Sequence, residues 1–105
     1  MDHRATLHVT DLEQQVMDAL DVLGVEYRFQ HPTRTGYLID FALPGSKIAL
    51  EVDGPYHDEK EQKKRHRFRN YQLRREGWST VRLHHAQLVE KCTEDVAELI
   101  EALLS

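Results

Sequence analysis

From Ile48 to Asp53 apolar and acidic residues alternate: Ile48, Leu50 and Val52 point one way, Ala49, Glu51 and Asp53 the other. A strand satisfies that order, with one face fit for a core and two carboxylates side by side on the opposite face. Upstream, Tyr37 to Leu43 reads as a second strand and Pro44-Gly45-Ser46 as a tight turn. The resulting hairpin brings Asp40 roughly opposite Glu51, within cross-strand reach. This segment therefore commits the chain to a sheet that carries an acidic cluster beside buried apolar strands.

The remaining elements follow from periodicity. Thr10-Asp11-Leu12-Glu13 has the spacing of a capping box, and Leu12, Val16, Leu20 and Leu23 follow at helical spacing up to Gly24. Val25, Tyr27 and Phe29 alternate with Glu26, Arg28 and Gln30, which predicts a half-buried strand, with His31-Pro32-Thr33 as a loop. Lys47 to Asp53 is the third strand, ended by Gly54-Pro55. Asp58 to Glu76 is a long polar helix with a weak apolar face of Phe68, Tyr71 and Leu73, closed by Gly77. Ser79 to His84 alternates again, residues 86–92 fit a short helix, and Thr93 is placed to cap a helix striped by Val96, Leu99, Ile100 and Leu103. The fold class is α/β. Its order is helix, three strands, helix, strand, helix, giving a mixed four-stranded sheet flanked by helices.

Composition narrows the class. At 105 residues, 40% of them hydrophobic, residues 1–105 make one domain, with 1–9 expected as a flexible N-terminus. A single cysteine, Cys92, excludes an internal disulfide framework. The apolar runs fall far short of the ~20 residues of a membrane span, so no membrane partner is expected. Met1-Asp2-His3-Arg4 leads into no apolar run, so the expected location is intracellular, cytoplasmic or nucleoid-associated. The net charge of −4 argues against coating nucleic acid by bulk charge and leaves room for a local basic patch.

Two constellations carry chemistry. Asp40, Glu51 and Asp53 would repel one another unless a divalent cation neutralises them, and hard oxygen ligands suit Mg²⁺ or Mn²⁺. His57 follows the strand end, within reach of the same place. The plain alternative is an acidic, solvated sheet face with Asp53-Gly54 as ordinary turn chemistry. Secondly, Lys60, Lys63, Lys64, Arg65, Arg67, Arg69, Arg74 and Arg75 supply eight of the fourteen Lys and Arg residues, interleaved with Phe68 and Tyr71. Such a helix suits a phosphate backbone, and equally a solvated helix laced with pairs such as Glu61–Arg65. His84-His85 reads as end-of-strand surface, and Trp78 as a core or sheet-edge anchor.

Glu13, Tyr27-Arg28-Phe29-Gln30-His31-Pro32, Gly36-Tyr37, Asp40-Phe41, Glu51-Val52-Asp53-Gly54, His57, Arg69, Leu73, Gly77-Trp78 and Val81-Arg82 together resemble the small nuclease-like domains related to the very-short-patch-repair endonucleases. The resemblance spans nearly the whole chain and implies the restriction-endonuclease-like fold. It maps that fold's P-D…(D/E)-x-K metal motif onto Asp40, Glu51 and Asp53, with the Val52 carbonyl as a further metal ligand. It also sets Glu13 at the edge of the active site. Three departures stand out: Ile39 replaces the motif's proline, Asp53 its catalytic lysine, and His66 an acidic residue three before Arg69. The stretch Lys47 to His57 with Gly77-Trp78 is also similar to the RAP domain, an RNA-associated module, and Gly54-Pro55 favours that comparison.

The leading expectation is a metal-dependent endonuclease or nickase hydrolysing phosphodiester bonds in DNA. Its expected catalytic residues are Asp40, Glu51, Asp53, His57 and Glu13, with Mg²⁺ or Mn²⁺ on Asp40, Glu51 and Val52. Lys63, Lys64, Arg67 and Arg69 are the expected nucleic-acid contacts, with DNA preferred over RNA and a homodimer left open. The alternative is a RAP-like RNA-binding or RNA-processing module with weak or no nuclease activity.

Overall fold

The register of four strands places everything that matters to the site. In the computed structural model, which describes residues 10–53 and 59–105, the elements run α1 (Asp11–Leu23), β1 (Arg28–Pro32), β2 (Leu38–Leu43), β3 (Ile48–Asp53), α2 (Glu59–Arg75), β4 (Ser79–His84), α3 (His85–Leu88) and α4 (Thr93–Leu104). The expected flexible N-terminus and His57 lie outside the described residues. The sheet order is β1-β2-β3-β4. β1–β2 and β2–β3 are antiparallel, while β3–β4 is parallel, reached through α2 as the crossover. Among the described residues no helix is long and apolar enough to cross a membrane.

The alternation in β3 divides the interior in two. Leu50 joins Phe41, Leu43 and Leu83 under Val16, Leu20, Val96 and Ile100 of α1 and α4. Ala42 and Ala49, of opposite parity, share a smaller cluster with Ile39, Leu73 of α2 and Trp78. Small residues at 42 and 49 let α2 lie close to the sheet. Both terminal helices stripe their apolar residues at helical spacing, which is why they pair on the same sheet face.

Local chemistry sets the boundaries. Thr10 and Glu13 form the expected capping box, and Gly24 ends α1 at φ 70, a left-handed position that glycine takes without a steric penalty. Thr93 is not the cap of α4: Cys92 holds that place without a side-chain hydrogen bond, and Glu94 and Asp95 in the first turn offset the helix dipole instead. The first strand also lies later than alternation predicts. Pairing of Phe29 with Phe41 and His31 with Ile39 recruits His31 and Pro32 into β1. Proline is tolerated there because β1 is an edge strand. Gln30, at φ 52, breaks the alternation, so Phe29 packs on Phe41 while His31 lies against Trp78. In α2 only Leu73 of the expected apolar face is buried, whereas Phe68 and Tyr71 point to solvent.

Candidate active site

The β2–β3 ladder pairs Phe41 with Leu50, and one step beyond it side chains take over from backbone. The Asp40 amide donates to Glu51 Oε2, and the Val52 amide donates to Asp40 Oδ2, each at 2.9 Å. Each carboxylate thus binds the backbone of the opposing strand, which fixes both groups face to face at the end of the hairpin. Asp40 is half-buried and Glu51 buried. Burial, then the neighbouring Asp40 charge, pushes the Glu51 carboxyl up to about 7. Burial likewise raises Asp40, with the nearby Glu13 charge acting in the same direction.

Cations come from elements on either side. Arg69 of α2 places Nη2 2.7 Å from Glu51 Oε1, donates to the Leu38 carbonyl, and lies over the Tyr37 ring. It therefore turns inward, apart from the exposed Lys63, Lys64 and Arg67 on the same helix. Asp53 is buried, with Arg82 Nη1 3.3 Å from its Oδ1 and Asn70 holding the other end of that guanidinium at 2.8 Å. His66 Nε2 stands 3.7 Å from Oδ1 and His84 Nδ1 3.8 Å from Oδ2, too long for hydrogen bonds. Burial, with help from Arg82, lowers the His66 pKa and favours the neutral ring. Among the described residues Asp53 Oδ2 is a buried acceptor without a donor.

The structure removes the solvated sheet face as the setting of Glu51 and Asp53. Asp53 faces away from the main core as parity predicts, yet it is not solvated, because α2 covers that face. The like-charge partner that raises Glu51 is Asp40 across the hairpin, not Asp53 along the strand. Glu13 serves its capping box through Oε1 and stands near enough for its charge to be felt at Asp40. Periodicity did not single out Asn70, Arg82 and His84. The signal was available: β4 alternates Thr80, Arg82 and His84 against Val81 and Leu83, and parallel pairing sets Arg82 beside Glu51 and His84 beside Asp53.

A sheet of this order with carboxylates at the strand ends beneath a basic crossover helix defines a restriction-endonuclease-like domain, a class of nucleases. A family model described as REase_MTES_1575 matches residues 12–103, and the chain belongs to that family. It is also similar to the solved catalytic domain of the homing endonuclease I-Bth0305I, at 26% identity and a TM-score of 0.65. That match covers 90% of this chain and 93% of the other. No curated protein sequence matches.

Proposed function

We propose that this domain is a metal-dependent endonuclease or nickase that hydrolyses phosphodiester bonds in DNA. The observation that carries the reading is the Asp40–Glu51 pair, two carboxylates each held by a backbone amide of the opposing strand and both pushed toward protonation chiefly by burial, Glu51 also by the Asp40 charge. Among the described residues no group of three or more His, Cys, Asp or Glu is arranged to hold a metal ion. Two carboxylates completed by waters nonetheless fit Mg²⁺, which is commonly held that way, and a divalent charge relieves their repulsion. Asp40 and Glu51, with the Val52 carbonyl, would hold the ion, which when bound stabilises charge on the scissile phosphate and lowers the pKa of a bound water.

The chain's own groups supply the rest. Arg69 and Arg82 bring from α2 and β4 the positive charge that a lysine in the place of Asp53 would bring. Asp53, whose Oδ2 lacks a donor among the described residues, is an acceptor for a water proton. Exposed Lys63, Lys64 and Arg67 engage phosphates without reading sequence.

Supercoiled plasmid incubated with Mg²⁺ or Mn²⁺ should be converted to nicked or linear forms, and Asp40→Asn should abolish the conversion. Intact plasmid with the parent protein in both metals would overturn the reading. Glu13→Gln separates cap from catalysis. A capping box accepts Gln, so the melting temperature should stay put while cleavage falls, because a carboxylate at the edge of the site, which adds to its attraction for a cation, is lost. Unchanged cleavage would leave Glu13 a capping residue only.

A further inference from the structure

The outward side of α2 carries a feature that phosphate binding alone does not explain. His66, Arg69, Asn70 and Leu73 turn toward the sheet. At 3.6 residues per turn, Lys64, Phe68, Tyr71 and Arg75 then form the opposite stripe. Phe68 is 57% and Tyr71 49% exposed, neighbours three apart on a helix otherwise among the most polar parts of the chain. A single exposed aromatic is common; two on one stripe with cations at both ends are not. Arg75 already lies over the Tyr71 ring, with its guanidinium carbon 5.8 Å from the ring centroid.

Charge is segregated across the sheet. α1 carries Asp11, Glu13, Asp18 and Asp21, α4 carries Glu94, Asp95, Glu98 and Glu101, and neither helix holds a Lys or Arg. The crossover helix on the other face holds Lys60, Lys63, Lys64, Arg65, Arg67, Arg69, Arg74 and Arg75. A polyanion is repelled from one side and drawn to the other. Phe68 directly precedes Arg69, which holds Glu51, so one helix carries both the outward stripe and, on its other side, a cation of the carboxylate cluster.

We infer that Phe68 and Tyr71 form a stacking platform for unpaired bases, flanked by cations that hold the connecting phosphates. This rests on the reading of the domain as a nuclease and names the state of its substrate, a single-stranded or locally opened segment of DNA. Paired bases hide their faces inside the stack, so a duplex gains only the charge contacts from this stripe, whereas a strand with free base faces gains both terms.

The test is fluorescence anisotropy with labelled oligothymidylate and a labelled duplex of equal length, in chelator so that binding is measured without cleavage. Phe68→Ala and Tyr71→Ala should each weaken oligothymidylate binding about fivefold or more, the equivalent of ~1 kcal/mol per stacked base, and leave duplex binding unchanged. Phe68→Leu should lose as much as Phe68→Ala, since it keeps apolar area without a ring, while Phe68→Tyr should retain binding. Reversal of Lys63, Lys64 and Arg67 to Glu should weaken both substrates. On the duplex it should also flatten the log–log salt slope by roughly 0.9 for every phosphate no longer neutralised. No loss in the alanine variants, equal loss on both substrates, or full binding by Phe68→Leu would overturn the platform. So would lowered self-association in sedimentation, which would assign the stripe to the acidic helices of a second copy. Failure of the nuclease reading is separately visible: ring-dependent binding would persist in a protein that cuts nothing.

Discussion

Asp53→Asn should abolish cleavage and also lower the melting temperature by roughly 10 °C. The substitution is nearly isosteric, so the loss comes from charge rather than shape. Asp53 is the anion that faces Arg82, whose side chain is only 14% exposed. Removing one member of a buried pair leaves the other charge uncompensated, which typically costs about 3–5 kcal/mol. Here Asn70 still accepts from the guanidinium, which brings the expectation down to about 2–3 kcal/mol. A second substitution, Arg82→Gln, should recover part of that loss, so the double variant melts above the sum of the two single changes. Asp53→Lys, which supplies the lysine of the motif implied by the resemblance, should not rescue cleavage, because the new cation meets Arg82 and His66 in a buried space. Thermal melts paired with plasmid cleavage read both consequences. Parent-like cleavage by Asp53→Asn would reduce this residue to a structural partner of Arg82 and leave the base to His57 or solvent.

What the sequence revealed and what it hid follow from the range of the interactions. Strand parity and the Pro44-Gly45-Ser46 turn are local, so the approach of Asp40 to Glu51 was legible in the residues themselves. The capping box was legible for the same reason. Burial of Glu51 and Asp53 was not, because it depends on how closely α2 lies on the sheet, which small Ala42 and Ala49 permit. The inward turn of Arg69 depends on the same approach, and composition alone groups it with the exposed Lys63, Lys64 and Arg67. The displacement of β1 toward Pro32 comes from cross-strand pairing, which overrides the alternation of Val25, Tyr27 and Phe29. Val25 and Tyr27 still pack against the core from outside the strand, so their apolar pattern reported burial correctly and secondary structure incorrectly. The carboxylates were visible; the place of Arg82 beside them emerges only from the β3–β4 pairing, and that of Arg69 only from the seating of α2.

In the absence of divalent metal, the folded protein should lose stability as pH rises from about 4.5 to about 7, and Glu51 is the main cause. An unfolded Glu releases its proton near 4.5, whereas folded Glu51 holds its own up to about 7. Between those values the folded chain binds more protons than the unfolded one, so stability declines with increasing pH. The full decline amounts to about 3 kcal/mol, since holding a proton through one further pH unit is worth about 1.4 kcal/mol. Asp40, also raised, contributes with the same sign. Chemical denaturation in chelator at about pH 5 and about pH 8 measures the difference directly. Glu51→Gln removes the titrating group and should flatten most of the profile, while its amide oxygen can still accept from Arg69 at any pH in this range. Mg²⁺ or Mn²⁺ should act in the opposite sense to alkali. A cation that binds only the folded carboxylate pair stabilises most where both are ionised, so its effect should be large at about pH 8 and vanish at about pH 5. A parent profile that is flat in chelator would show that Arg69 and the two backbone amides already neutralise the pair, and would remove the physical reason for placing a metal ion there.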